Sequence, residues 1–161
     1  MQASNIPNLK SVGVVDVSFG QRVTVVSPSN VYRCKLGDDV FVGPFTEIQA
    51  GVTIGARTRV QSHSFICELV TLGEDCFIGH GVMFINDTFS TGGPARGRKE
   101  LWRATEIGNR VSMGSNATIM PVKICDDVVI GAGAVVTRNI DKPGTYLGNP
   151  ARLQAQKEMI K

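Results

Sequence analysis

The sequence predicts an all-β fold, a parallel β-helix whose coils are built from six-residue repeats, and three observations support this fold class. Large apolar residues, the anchors, recur every six residues from Leu36 to Phe84. Four residues after each anchor comes a smaller side chain: Val40, Thr46, Val52, Thr58, Ser64, Val70, Cys76 and Val82. Glycine often follows the anchor directly, at Gly37, Gly43, Gly55, Gly73 and Gly79. A period of six fits neither an α-helix nor a flat strand, but it is typical of β-helical repeats.

This period has a simple geometric meaning. Six residues provide one short strand and one turn, and three such units close a triangular coil of about eighteen residues. Each coil bonds to the next about 4.8 Å away, as strands do in a sheet. No single coil buries its own inner face, so the coils must stack. The alternative interpretation is a β-sandwich in which the spacing is coincidental.

The repeat divides the chain into a predicted cap, a core and a tail. Residues 1–30 are predicted to form a leader and a β cap, with two strands or a short hairpin over residues 11–27 that covers the open end of the coils. Residues 31–147 form the β-helix. A loop at residues 85–106 interrupts them, because no anchor falls there and Gly-Gly-Pro forbids a continuous strand.

Two features are expected near the end of the coils. The anchor spacing slips by one residue between Met120 and Lys123, which predicts a tightened turn. Residues 148–161 form the C-terminal segment, in which good helix formers from residue 151 onward predict a short helix.

Composition excludes several classes of function. A net charge of +3 is too small and too dispersed to indicate nucleic-acid binding. No apolar run is long enough to span a membrane, and the N-terminus lacks the basic start and apolar core of a signal peptide. The cysteines form no C-x-x-C pair and are interpreted as small buried residues of a reducing cytosol. We therefore expect a cytoplasmic protein without nucleic-acid or membrane partners.

The root of the long loop is the first candidate site. Glu68 and Asn86 are eighteen residues apart, so they are expected on adjacent coils about 4.8 Å from each other. Asp87 follows where the loop departs. We expect His63 and His80 to join these three at one edge of the prism. The alternative for each is a turn residue that bonds its own backbone.

The second candidate site is the smooth stretch Ile130–Val136, which consists of small and β-branched residues. Small residues let a long flexible ligand lie against exposed backbone groups. Arg138, Lys142 and Arg152 would then supply cations that suit phosphates. Tight turns explain the same glycines and alanines equally well.

The repeats also resemble a known family. LGDDVF, IGARTR, LGEDCF and IGAGAV, followed by GNPAR, are similar to the left-handed β-helix acyltransferases over roughly residues 30–153. IQAGVTIGARTRVQSHSFICE and GHGVMFINDTF resemble the sugar N-acetyltransferases that act on nucleotide-linked 3-aminohexoses for bacterial surface polysaccharides. The resemblance implies a left-handed helix, a homotrimer with active sites between neighbouring subunits, acetyl-CoA as donor and a nucleotide-sugar acceptor.

Individual residues carry this resemblance. Glu68, Asn86 and Asp87 match the polar trio near the acceptor amine in the branch acting on dTDP-linked 3-amino-3,6-dideoxyhexoses. The residues matched to the acetyl-CoA site are Ser115, Ala132 and Ala134 along the pantetheine arm, and Arg138 and Arg152 at the phosphates. The expected substrate contacts are His63, His80, Phe84 and Arg96. Thymidine and uridine both stay open as the nucleotide.

The chemistry of the loop root favours an amine acceptor. Hydroxyl-acetylating relatives carry a histidine base close to their long loop, whereas this chain has Asn86-Asp87 there. A hydroxyl is a poor nucleophile until a base takes its proton, but a free amine attacks unaided. We therefore hypothesise that Asp87 and Asn86 position the sugar amine, that Glu68 supports them, and that a backbone N–H stabilises the oxyanion.

Three other functions are alternatives. The nearest is an O-acetyltransferase on a sugar or xenobiotic hydroxyl, with His63 or His80 as base. A zinc enzyme on this fold would need three histidines for each metal ion, and the chain has two. A scaffold without enzymatic activity is the third, and it would bind no acyl-CoA.

Overall fold

Short strands make up nearly all of the regular structure in the computed structural model, which describes residues 11–154. Numbered along the chain, they are β1 (Val14–Val15), β2 (Ser18–Phe19), β3 (Thr24–Val25), β4 (Asn30–Tyr32), β5 (Lys35–Leu36), β6 (Phe41–Val42), β7 (Glu47–Ile48), β8 (Thr53–Ile54), β9 (Arg59–Val60), β10 (Phe65–Ile66), β11 (Val70–Leu72), β12 (Phe77–Ile78), β13 (Met83–Phe84), β14 (Thr105–Ile107), β15 (Ser112–Met113), β16 (Thr118–Ile119), β17 (Lys123–Ile124), β18 (Val128–Ile130), β19 (Val135–Val136), β20 (Gly144–Leu147) and β21 (Arg152–Leu153). Within residues 11–154 the only helix is one 3-10 turn, Lys99–Leu101.

The strands form three sheets that are the faces of a parallel β-helix. Sheet A holds β1, β4, β7, β10, β13, β16 and β19 in that order, and sheet B holds β2, β5, β8, β11, β14 and β17. Sheet C holds β3, β6, β9, β12, β15, β18, β20 and β21. Every third strand therefore lies beside its equivalent one coil later, which confirms the predicted all-β, parallel β-helical fold. The antiparallel pair β20–β21 is the exception in the described chain.

The core is the stack of inward-facing anchors. Ile48 pairs with Ile66 and Leu36 with Ile54, both eighteen residues apart as the repeat predicts. The anchors are fully buried. Small hydroxyl residues between them are buried too, because their side chains donate hydrogen bonds to backbone carbonyls: Ser64 Oγ bonds to Gly79 O at 2.9 Å. The hydroxyls of Thr46, Thr58 and Ser64 are thus paired inside the core, whereas the buried Thr105 Oγ1 has no hydrogen-bond partner among the described residues.

The N-terminal region corrects one prediction. Residues 14–25 form no hairpin: β1, β2 and β3 pair in parallel with β4, β5 and β6 and make a further coil. The partners are seventeen residues apart, as in Val14 with Val31, so the eighteen-residue rhythm conceals this coil in the sequence. Several of its valines stay exposed, because it is the terminal coil among the described residues.

The later features follow the predictions more closely. After the slip between Met120 and Lys123, partners are again seventeen residues apart, as in Met113 with Ile130. The loop between β13 and β14 covers residues 85–104, two residues fewer than predicted, because β14 already begins at Thr105. Across residues 11–154 no helix has the length and apolarity needed to cross a membrane.

The C-terminal segment differs from its prediction where it is described. Arg152 and Leu153 form β21, which runs antiparallel to β20 on sheet C. The backbone thus gains partners at the end of the stack, and this favours a strand over the start of a helix. The remaining predicted helical residues lie outside the described range.

The four cysteines are free thiols in the structure. Cys34, Cys67 and Cys76 are buried in the core and Cys125 is half-buried. Burial raises the pKa of the Cys34 thiol to about 11 and that of Cys67 to about 12, so both are protonated at neutral pH. The interpretation as small buried residues is confirmed for Cys34, Cys67 and Cys76, whereas Cys125 is partly exposed.

A ladder of alternating charges lines the corner between sheets B and C. Its members are Arg22, Asp39, Arg57, Asp75, Arg110 and Asp127. All six have left-handed backbone conformations, with φ between 55° and 61°. Each arginine donates two hydrogen bonds to the aspartate one coil later, at 2.6 to 2.9 Å. Because opposite charges meet only in this register, the charge ladder favours the observed stacking.

The charge ladder predicts acid-sensitive stability. Hydrogen bonds from the arginines hold the pKa values of Asp39, Asp75 and Asp127 below their usual range. These carboxylates therefore stabilise the fold above their unfolded pKa of about 3.9, and the contribution is lost as pH falls through the lower folded values. The Tm should be steady from about pH 7 to 5 and fall below about pH 4, as measured by circular dichroism.

The matched control replaces the three ladder arginines by glutamine. Without the arginines, the folded carboxylates titrate near their unfolded pKa, so the variant should have a lower Tm at pH 7 and a shallower decline in acid. An equally steep decline in both proteins would show that other groups cause the acid sensitivity.

Candidate active site

Glu68 and Asn86 lie side by side at the root of the long loop. Both occupy the corner where sheet A turns into sheet B, one coil apart, as their separation predicts. The Asn86 side-chain amide donates from Nδ2 to the backbone carbonyl of Glu68 at 3.2 Å. The Arg103 N–H donates to Asn86 O at 2.9 Å and closes the loop on the same corner.

Asp87 organises the first half of the loop. Its Oδ1 accepts a hydrogen bond from the Phe89 N–H at 3.0 Å, and its Oδ2 accepts one from the Ala95 N–H at 2.7 Å. Ala95 is buried, so this second bond fixes the returning part of the loop against the protein. Both carboxylate oxygens are therefore engaged, each with a lone pair still available for a ligand.

The Glu68 carboxylate binds a cation from the loop. Lys99 Nζ lies 2.6 Å from Glu68 Oε2, and the same ammonium lies 5.4 Å from the centroid of the Trp102 ring. The predictions from sequence assigned no role to Lys99. Since the loop carries no repeat, no spacing in the sequence relates Lys99 to the coils.

A polar network that was not predicted from the sequence extends from Glu68 toward the N-terminal coils. The Glu68 N–H donates to Gln49 Oε1 at 3.2 Å, and Gln49 Nε2 donates to Glu47 Oε1 at 2.9 Å. Burial, followed by the charges of Glu47 and Glu68, raises the pKa of Tyr32 nearby. The sequence contains one signal for this contact. Gln49 directly follows the anchor Ile48, as Cys67 follows the anchor Ile66 one coil later, so Gln49 lies beside Cys67 and Glu68.

The two histidines lie at a different corner, which corrects the prediction that they share an edge with Glu68. His80 Nδ1 lies 2.9 Å from Ser62 Oγ, and the His63 ring stacks on Phe45 at 5.0 Å. This corner joins sheet C to sheet A. Strand β10 separates it from Glu68, and five extended residues span roughly 16 Å.

One predicted substrate contact is wrong. Phe84 is an anchor whose side chain points into the core and is 0% exposed, so it cannot meet a substrate. Arg96 lies in the loop and is exposed, with a left-handed backbone.

The predicted pantetheine positions follow the histidine corner. Ser115 and Ala132 occupy the positions equivalent to His80 on the next two coils, and both are accessible. The coils are tightly stacked there, since a Cβ on Gly114 would lie 2.4 Å from the Ala132 nitrogen. Ala134 is fully buried, and its N–H and carbonyl bond within the coils, so its predicted contact is wrong.

The two arginines predicted near the phosphates come together. Arg138 and Arg152 line one depression of about 200 Å³ at the C-terminal end of the coils, with Thr137 and Tyr146. Arg138 lies two residues after Val136, the buried residue of β19, at the same corner of sheet A as Asn86.

Comparisons with known proteins agree with this architecture. Residues 33–68 match the family described as bacterial transferase hexapeptide (six repeats), and residues 105–138 match the hexapeptide repeat of succinyl-transferase. The bifunctional protein GlmU of Streptococcus uberis is 30% identical over 145 residues, which cover 84% of this chain and 31% of that protein. The chain spans about a third of the length of the curated relatives that it matches.

Two solved structures share the fold. A variant of perosamine N-acetyltransferase from Caulobacter crescentus, in complex with CoA and GDP-perosamine, has a TM-score of 0.64 and 24% identity, covering 86% of this chain and 57% of that one. A galactoside acetyltransferase in complex with coenzyme A has a TM-score of 0.61 and 23% identity, covering 87% and 64%. The chain is therefore a parallel β-helix that carries, in two places, hexapeptide repeats of the kind found in bacterial transferases.

Proposed function

We propose that this protein is an acetyl-CoA-dependent N-acetyltransferase that acetylates the 3-amino group of a nucleotide-linked aminodeoxyhexose, with dTDP as the nucleotide, for bacterial surface polysaccharide synthesis. The observation that carries the proposal is the pairing of Glu68 with Asn86 beneath a loop that Asp87 organises. Polar groups with free lone pairs meet there under a loop that can cover an acceptor. The perosamine N-acetyltransferase that shares the fold adds support, since it binds a nucleotide sugar.

The loop root suits an amine better than a hydroxyl. Among the described residues no histidine lies at this corner, because His63 and His80 both occupy the opposite edge of sheet A. An amine nitrogen attacks the thioester carbonyl carbon as the free base, the C–S bond breaks, and the departing thiolate takes the surplus proton. Asn86 and Asp87 orient the amine, Glu68 supports them, and a backbone N–H stabilises the oxyanion.

The donor would lie along the histidine corner and the C-terminal end. Ser115 and Ala132 offer small accessible residues on which a pantetheine arm can lie. Arg138 and Arg152 meet in one depression, where two guanidinium groups suit the phosphates of CoA. These four residues fit acetyl-CoA chemically.

A homotrimer completes the proposal. Within one chain the loop root and the histidine corner lie on opposite edges of sheet A, so one chain cannot bring both to a single acceptor. A neighbouring subunit that packs its histidine corner against the loop root would bring them together. His63, His80 and Arg96 would then contact the nucleotide sugar.

A hydroxyl acceptor is the second candidate, and one contact favours it. His80 Nδ1 is 2.9 Å from Ser62 Oγ, which would fix the ring so that Nε2 faces outward as a base beside Ser115. A galactoside acetyltransferase has the same fold, which supports this alternative. In that case the Asn86-Asp87 corner would be structural.

A thiol-release assay separates the two candidates. Acetyl-CoA would be offered with dTDP- and UDP-linked sugars that carry either a 3-amino group or only hydroxyls. We expect thiol release with the 3-amino sugars and none above background with their hydroxyl counterparts. Release with hydroxyl sugars alone would make His80 or His63 the base and would contradict the amine proposal. If no thiol is released although acetyl-CoA binds, both classes of acceptor are rejected and the fold assignment is unaffected.

A further inference from the structure

The ion pair between Glu68 and Lys99 differs from the other ion pairs of the described chain. The Glu68 side chain is 19% exposed, whereas the other paired carboxylates are 38 to 57% exposed. Its lysine, by contrast, is mostly in solvent. The Glu68 carboxylate is thus part of the corner between sheets A and B, whereas the Lys99 ammonium comes from the loop.

Two groups contact the same Lys99 ammonium. Glu68 Oε2 lies 2.6 Å from Nζ, and the Trp102 ring centroid lies 5.4 Å from it. A carboxylate and an aromatic face together attract a primary ammonium by charge and by the ring quadrupole. Lys123, which pairs with Glu106 at 2.9 Å, has no such ring beside it among the described contacts.

We propose that Glu68 and Trp102 form a binding subsite for a primary ammonium group, which Lys99 fills in the free protein and which the amino group of the acceptor takes over. The identity of the acceptor rests on the proposed function, whereas the subsite itself rests on the contacts around Lys99. Lys99 acts as an internal competitor, because its release frees the Glu68 carboxylate for another ammonium group.

The subsite would make the protein selective for amines before any chemistry occurs. A hydroxyl brings no charge to a carboxylate that is largely shielded from water, so it cannot replace the lysine. An ammonium can, and loss of its proton to solvent then gives the nucleophilic free amine. Because Lys99 and the ligand compete for the same carboxylate, the apparent affinity for the ligand is lower than its affinity for the unoccupied subsite.

The test uses ligands that do not depend on the proposed reaction. Trp102 is the single tryptophan of the chain, so its fluorescence reports the subsite directly. The whole protein would be titrated at pH 7 with cyclohexylammonium chloride and, separately, with cyclohexanol. We expect Lys99→Met to bind cyclohexylammonium about fivefold more tightly than the wild type, the size of a surface ion pair. Cyclohexanol binding should not change.

Three control variants complete the test. Lys99→Arg keeps the competing charge and should return the affinity toward the wild-type value. Lys123→Met removes a lysine from an ion pair without an aromatic ring and should have no effect. Glu68→Gln should abolish ammonium binding.

The outcomes keep this inference separate from the proposed function. Equal cyclohexylammonium affinity in the wild type and Lys99→Met would overturn the subsite, and so would equal gains for cyclohexanol. Ammonium binding with the expected changes, but without acetyl transfer to any 3-amino sugar, would retain the subsite and reject the proposed reaction.

Discussion

Replacing Asp87 by asparagine should lower the turnover of a 3-amino sugar by about ten- to a hundredfold while the protein stays folded. The Asp87 carboxylate accepts hydrogen bonds from two backbone N–H groups, of Phe89 and Ala95. An asparagine offers one oxygen and one NH2 group, so one of the two N–H groups would face another donor. Losing a hydrogen bond to a charged group costs about 1.5–3 kcal/mol, which corresponds to this range of rates.

The measurement is kcat and KM from thiol release, with the Tm as a check on folding. Asp38→Asn is the matched control, because the Asp38 carboxylate accepts a single backbone N–H, that of Gln21, and an amide oxygen can replace it. This variant should retain wild-type kinetics. Wild-type turnover in Asp87→Asn would remove Asp87 from the mechanism.

The pH profile of Asp87→Asn distinguishes the two roles of this residue. If Asp87 acts by shaping the loop and orienting the amine, kcat should fall by the same factor at every pH. If it also relays a proton, the acid limb of the profile should change as well.

Replacing Gly55 by alanine should destabilise the fold by about 3 kcal/mol or more. A Cβ at this position would lie 2.5 Å from the backbone carbon and oxygen of Gly73 and 2.7 Å from the Glu74 nitrogen. These atoms belong to the backbone of the next coil, so no side chain can rotate away to make room. The coils would have to separate along this corner, which weakens the hydrogen bonds between them.

Chemical denaturation measures this effect, and Gly93→Ala is the control. A Cβ on Gly93 meets nothing within 4 Å, so the substitution in the loop should change the free energy of unfolding by less than about 0.5 kcal/mol. Equal stability of Gly55→Ala and the wild type would show that the coils can spread without cost.

Much of the site was predictable because the coil turns sequence distance into spatial distance. Glu68 and Asn86 are adjacent since they are one coil apart, and the Ser62–His80 contact follows from the same rule. The rule failed where one residue is missing from a coil, as at Val14, and where an anchor was assigned a surface role, as at Phe84.

The sequence by itself determined the architecture, because a six-residue period is a local property that dictates strand, turn and stacking together. It also determined that Glu68 and Asn86 stack on adjacent coils at the site. Only the tertiary structure decided that Lys99 meets Glu68 and that Asp87 holds Ala95, since the loop has no repeat to place its residues. The structure likewise decided that the histidines lie at another corner, because a strand of the triangular coil must intervene between two turns.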